Sequence, residues 1–140
     1  MIRNDAEYKF FSQQLKAQKL KIAVYQKRKN PLKLTRSANQ QVLKKLISIH
    51  DILMNKVNDH KNFKKGVFRR LENLNDIAFL LIALRIARGL SQKKLAEILG
   101  VSAAQVSRDE KNYYSSVSLE RAHKTCKALK VKFNIEVKLL

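Results

Sequence analysis

The chain has 140 residues, 45% of them hydrophobic, with only three glycines and one proline, a composition that excludes wholesale disorder and argues for long, uninterrupted helices. Its 30 Lys and Arg against 11 Asp and Glu leave a formal net charge of +19, which points to a polyanionic partner. A single cysteine, Cys126, excludes an internal disulfide, and the longest apolar run, Ile77 to Leu84, falls far short of the roughly 20 residues that cross a bilayer.

The start, Met1-Ile2-Arg3-Asn4-Asp5, has no apolar signal core behind it, so a soluble, cytoplasmic protein in a reducing compartment is expected, without a membrane partner. Asn4 and Asp5 can cap a helix that starts near Ala6, with Glu7 favourable in its first turn. Tyr8, Phe11, Leu15, Ile22 and Tyr25 recur at three- and four-residue steps, with Gln18 interrupting the seam, which predicts a helix of about twenty residues with one apolar stripe. Pro31 disfavours helix at Asn30 and ends it. A second helix is expected to begin after Thr35 or Ser37, with a stripe of Val42, Leu46, Ile49, Leu53 and Val57 broadened by Leu43, Ile47, Ile52 and Met54. It should fray through Asn58–Asn62, and a short third piece from Val67 to Leu74 should follow. Two amphipathic helices on a short connection suggest an antiparallel hairpin. Residues 1–75 hold 18 basic and 5 acidic side chains, against 12 and 6 in residues 76–140, so this first region is the more basic one. Its charge reads three ways: a solvated face, auxiliary contact with a DNA backbone, or a surface for an acidic protein partner.

Asn75 or Asp76 can cap a further helix whose apolar face is Ile77, Leu80, Leu81, Leu84 and Ala87. Ser91 then caps a short helix with Leu95, Ile98 and Leu99 on one face, and Gly100 follows where a left-handed position favours a residue without a Cβ. Val101 can plug the corner, and the small Ala96 permits close helix approach. Ser102 caps the next helix with Gln105 three residues on, the pattern of a capping box. Val106 is its clearly apolar residue, so Ala103, Ala104, Gln105, Ser107 and Arg108 leave a small, polar face outward, suited to a DNA major groove.

This stretch resembles the helix-turn-helix of the Xre/Cro/C1 repressor family. The matching residues are Leu84-Arg85, Gly89-Leu90-Ser91-Gln92, Leu95-Ala96-Glu97, Leu99-Gly100-Val101-Ser102, Val106-Ser107-Arg108 and Glu110, with Ser118-Leu119-Glu120-Arg121 and Ala128-Leu129 in a fourth helix. The sequence departs from the family at Asp109, where an aliphatic residue is usual, so the end of the recognition helix should pack or cap differently. The resemblance implies a lambda-repressor-like domain over residues 76–129 in which Arg85 pairs with Glu110 behind the recognition helix. It also implies that Ala103, Ala104, Ser107 and Arg108 face base edges. Gln92 and Ser102, each at a helix N-terminus, should hold phosphate oxygens. Lys111 and Asn112 should grip the backbone beyond them, and Gln105 stands between capping and readout. Of the Tyr113-Tyr114 pair, at least one should pack in the core.

The end of the chain changes period. Val131, Phe133, Ile135, Val137 and Leu139 alternate with polar residues, which predicts a half-buried strand over residues 130–140. A lone strand is an exposed edge, and pairing across a two-fold axis with a second copy would satisfy it. The expected whole is a mainly helical, all-α chain: a basic hairpin region (1–75), a helix-turn-helix domain (76–129) and a dimerisation strand (130–140). The expected function is sequence-specific transcription regulation, most simply repression, by a homodimer on palindromic double-stranded DNA. The alternative is an antitoxin that masks a toxin protein and represses its own operon; the opening residues 2–8 loosely resemble the first helix of some antitoxin-type regulators. Neither an enzyme nor a cofactor is expected, because no carboxylate pair, nucleophile–base arrangement or phosphate-binding glycine loop is present. His50, His60 and His123 are isolated, so no metal site is expected either.

Overall fold

The computed structural model describes residues 1–27, 32–68, 75–115 and 117–133. By its contacts the chain divides into two compact units, residues 1–61 and 62–140.

The first unit is a hairpin of α1 (Asp5–Lys27) and α2 (Arg36–Lys64), whose last three residues already belong to the second unit. Asn4 caps α1, its side-chain oxygen accepting the Glu7 N–H at 2.8 Å, and Thr35 caps α2 by accepting from Ala38 at 3.3 Å. The helices run antiparallel. The Tyr8 ring stacks on His60 at 5.0 Å, the Gln18 amide donates to the Leu46 carbonyl at 2.9 Å, and the Tyr25 hydroxyl donates to the Asn39 side chain. On α1 the residues turned inward are Tyr8, Phe11, Leu15, Gln18, Ile22 and Tyr25, and on α2 Asn39, Leu43, Leu46, His50, Leu53, Val57 and His60. Both sets step by alternating threes and fours, the spacing of a coiled-coil seam.

Three expectations change here. Gln18 does not interrupt the stripe; it is buried within it, at 6% exposure, because a carbonyl of the facing helix accepts its amide proton. Ile49 stands outside the seam at 48% exposure, and the neighbouring His50 takes the inward position. Nor does α2 fray through Asn58–Asn62, because Val57, His60 and Phe63 along that stretch are all buried and hold the helix through it. The expected piece from Val67 to Leu74 is not helical at Val67 and Phe68, and its residues 69–74 lie outside the described ones.

The second unit holds α3 (Asn75–Ala87), α4 (Gln92–Leu99), α5 (Ala103–Lys111) and α6 (Leu119–Ala128). Its core joins Leu81, Leu95, Ala96, Val106, Cys126 and Leu129, with Leu84, Leu90, Leu99, Val101, Tyr114 and others packed around them. The α3 helix is enclosed more fully than one apolar face requires, since Ile82, Ala83 and Ile86 are buried alongside Leu81. Its Phe79 meets Phe63 edge-on at 5.3 Å. Ile98, expected on the inner face of α4, is 49% exposed; Leu95 and Leu99, four apart, take that face, and Ile98 is left on its shoulder.

Five helix ends close in the same way. After α2 to α6, a residue with positive φ (Gly66, Gly89, Gly100, Tyr113 and Lys130) turns the chain. The N–H of the next residue (Val67, Leu90, Val101, Tyr114 and Val131) then returns to the carbonyl five residues back, at 2.7–3.1 Å. This is the Schellman closure; after α3 to α6 it packs an apolar or aromatic side chain on the core, whereas Val67 after α2 stays exposed. At the last of these ends the chain folds Val131 and Phe133 back onto the core. Residues 130–133 are therefore not in a strand, and residues 134–140 of the expected strand lie outside the described residues. Among the described residues the fold is helical, and none of their helices is long and apolar enough to cross a membrane.

Candidate nucleic-acid interface

Two serines set the ends of the central pair of helices. The Ser91 hydroxyl accepts the Lys94 N–H at 3.0 Å and the Ser102 hydroxyl accepts the Gln105 N–H at 3.1 Å, both with extended backbone at the cap. Between them Gly100, at φ 67°, makes the tight turn, and Val101 packs on the core from it. The turn brings α4 and α5 together over Leu95, Ala96 and Val106, each at most 2% exposed.

Behind α5 lies a buried polar assembly. Glu110 is fully buried and accepts two parallel hydrogen bonds from the Arg85 guanidinium, one from Nε and one from Nη2 at 2.8 Å. Arg85 also donates to the Leu90 carbonyl at 2.7 Å. The Gln92 amide, from the first turn of α4, reaches the second Glu110 oxygen at 2.7 Å. One carboxylate thus ties α3, α4 and α5, and a charge so enclosed is tolerable because a guanidinium fork and further donors saturate it.

Asp109, the departure from the family pattern, is also buried, at 8% exposure. Arg121 of α6 places Nη2 2.9 Å from one of its oxygens, and the Gln105 amide donates to the other at 2.7 Å. An aliphatic contact is here replaced by an ion pair that joins α5 to α6. The sequence places Arg121 in the fourth helix of the resemblance but gives no sign that it pairs with Asp109. The same geometry alters the expected capping box. Ser102 caps Gln105, but the Gln105 amide turns along the helix to Asp109 and does not reach back to its own cap.

The opposite side of α5 is open. Ser102, Ala103, Ala104, Arg108, Lys111 and Asn112 are exposed and Ser107 is half-buried. Residues 104, 108 and 111 lie one above another, with 103 and 107 beside them. Gln92 stands apart from this set, since its amide is engaged with Glu110. Tyr114 is packed against the core, where burial, reinforced by the negative charge of Glu110, pushes its hydroxyl's ionisation well above the usual range; Tyr113 is 48% exposed. Cys126 is buried, and burial likewise raises its thiol. Among the described residues no cluster of His, Cys, Asp and Glu is placed to hold a metal ion.

Two capped helices on a glycine turn, one backed by a buried ion pair and presenting small and basic side chains outward, define a helix-turn-helix unit. Residues 81–135 match the family model described as Helix-turn-helix, and the chain carries a domain of its Xre/Cro/C1 type, that of DNA-binding transcription regulators. Neither the comparison with curated proteins nor that with solved structures gives a match.

Proposed function

We propose that the chain is a sequence-specific transcription repressor that binds a palindromic operator as a homodimer. The observation that carries the reading is α5 itself: its back is fixed by the Arg85–Glu110–Gln92 assembly while its front offers Ala103, Ala104, Ser107 and Arg108. A rigid helix with small side chains can lie deep in a major groove. Arg108 then has the reach and the planar fork to read a guanine, and Ala103 or Ala104 can meet a thymine methyl. The Ser102 end of α5, with backbone N–H groups directed outward, suits a phosphate, as do Lys111 and Asn112 at the far end. A phosphate at the start of α4 would meet the helix terminus and whatever the Gln92 amide has left after bonding Glu110.

The dimer is proposed through the end of the chain: of the alternation expected over residues 130–140, Val131 and Phe133 pack on the core, which leaves Ile135, Val137 and Leu139 to carry it, and an isologous pair would set two recognition helices about one turn of DNA apart. The test is selection of bound fragments from random genomic DNA by the purified chain, with its mass measured in the same buffer. A dimer that enriches one inverted repeat is the expected result. A monomer with salt-sensitive, sequence-blind binding would overturn it and favour the antitoxin reading, in which a toxin partner is missing.

A further inference from the structure

The α1–α2 hairpin keeps a second apolar surface beside its seam. Leu20, Val24 and Leu32 are 68%, 50% and 60% exposed, and together with Tyr25, Val42 and Leu46 they line a groove of about 520 Å³ that Lys21 borders. Seven residues make nearly two helical turns, so Ala17 and Phe10 continue the Val24 flank along α1, and Ile49 continues the Val42 flank along α2. Phe10 and Ile49 are 55% and 48% exposed, and Ala17 is exposed too. From Phe10 to Val24 these positions span roughly 20 Å at 1.5 Å per residue, with Gln13 and Gln14 exposed between Phe10 and Ala17. That length matches one face of a third helix.

The surrounding charge indicates which helix. Residues 8–50 contain eleven Lys and Arg and no Asp or Glu. Lys16, Lys19, Lys21, Lys27, Lys44 and Lys45 are all exposed. A second copy would bring like charges face to face, which opposes self-association through this surface. Nucleic acid would meet the lysines but has nothing to cover the apolar strip. A helix with an apolar stripe and carboxylates along both of its edges satisfies both.

We propose that the groove beside the α1–α2 seam is a docking site for an acidic amphipathic helix of a partner protein. Its apolar stripe is buried against Leu20, Val24, Val42 and Ile49, and its carboxylates meet the surrounding lysines. The site is independent of the DNA reading, whose residues all lie in the second unit.

The test uses the full chain and a fluorescein-labelled peptide of about 18 residues with leucines at helical i, i+3, i+4, i+7 spacing and glutamates elsewhere. A scrambled isomer of the same charge is the control, and binding is read by anisotropy at near-physiological salt. The amphipathic peptide is expected to bind at least about tenfold more tightly than the scrambled one. The double variant Val24→Gln, Ile49→Gln, both at exposed positions, should lose that advantage while keeping its helical circular dichroism and its DNA binding. Equal affinity for the scrambled peptide would reduce the effect to charge alone and overturn the proposal, as would undiminished binding by the double variant. A fall in the free chain's sedimenting mass on the double substitution would overturn it too, by showing that a second copy covers the groove.

Discussion

At the scale of single residues, the two buried carboxylates of α5 are one position apart and differ in how much they matter. Arg85 beside Glu110 has a side chain only 3% exposed, whereas Arg121 beside Asp109 is 32% exposed. Glu110→Ala leaves a guanidinium buried without its partner and is expected to cost about 3–5 kcal/mol in urea unfolding. Asp109→Leu restores the family's aliphatic residue and leaves an arginine that, one-third exposed as a side chain, can turn its buried Nη2 outward to water, so its expected cost is below about 1 kcal/mol. The reverse order in the two unfolding midpoints would show that the α5–α6 pair is the stronger tie. On the outer face, Arg108→Ala should cost about 1–3 kcal/mol on the selected operator and relax preference at one base pair. Equal weakening on operator and random DNA would remove its base-reading role. Tyr114 brings a pH dependence. Its folded hydroxyl ionises above the unfolded value of 10.0, so the stability it contributes is complete below pH 10 and is lost as pH rises beyond it. Tyr114→Phe should flatten the fall of the unfolding midpoint in that alkaline range.

At the scale of elements, the repeated Schellman closure shortens the connections and, after α3 to α6, returns Leu90, Val101, Tyr114 and Val131 to the core. Glycine suits the turning position, and at Gly100 an added Cβ would meet nothing within 4 Å, so only the backbone angle opposes a side chain there. Gly100→Ala is therefore expected to cost about 1–2 kcal/mol through left-handed strain alone. The converse holds at the end of α6, where Lys130 adopts φ 52°. Lys130→Gly should stabilise the domain by up to about 1 kcal/mol, less whatever glycine adds to the freedom of the unfolded chain. Thermal unfolding of the two variants in one buffer measures both, and shifts of the same sign would refute the backbone account.

At the scale of the whole molecule, a net charge of +19 makes attraction to any polyanion strong and salt-dependent. On the proposed reading, specificity comes from the few side chains on the outer face of α5, against that indifferent background. Lys111→Ala should weaken operator and random DNA alike and lower the slope of log K against log salt by about 1, a titration readable from 50 to 200 mM salt. The basic hairpin adds to that background, yet its exposed apolar strip is of no use to DNA, which is why a protein partner is assigned to it.

Much of the second unit was legible in the sequence, because its signals are local. Ser91, Gly100 and Ser102 declare a cap, a turn and a cap within a dozen residues, and the small polar positions of α5 declare a surface. The helices of the hairpin were legible for the same reason: period in the apolar residues sets a helix wherever it packs. What tertiary structure decided is where buried polar groups find partners. Gln18 looked like a break in a stripe until a carbonyl of the opposite helix stood within reach, and Asp109 looked like an anomaly until Arg121 arrived from another helix. The exchange of Ile49 for His50 in the seam, and the return of Val131 and Phe133 onto the core instead of into a strand at those positions, have the same origin. Periodicity says that a face is apolar, but only the facing surface decides which of two adjacent residues is enclosed by it.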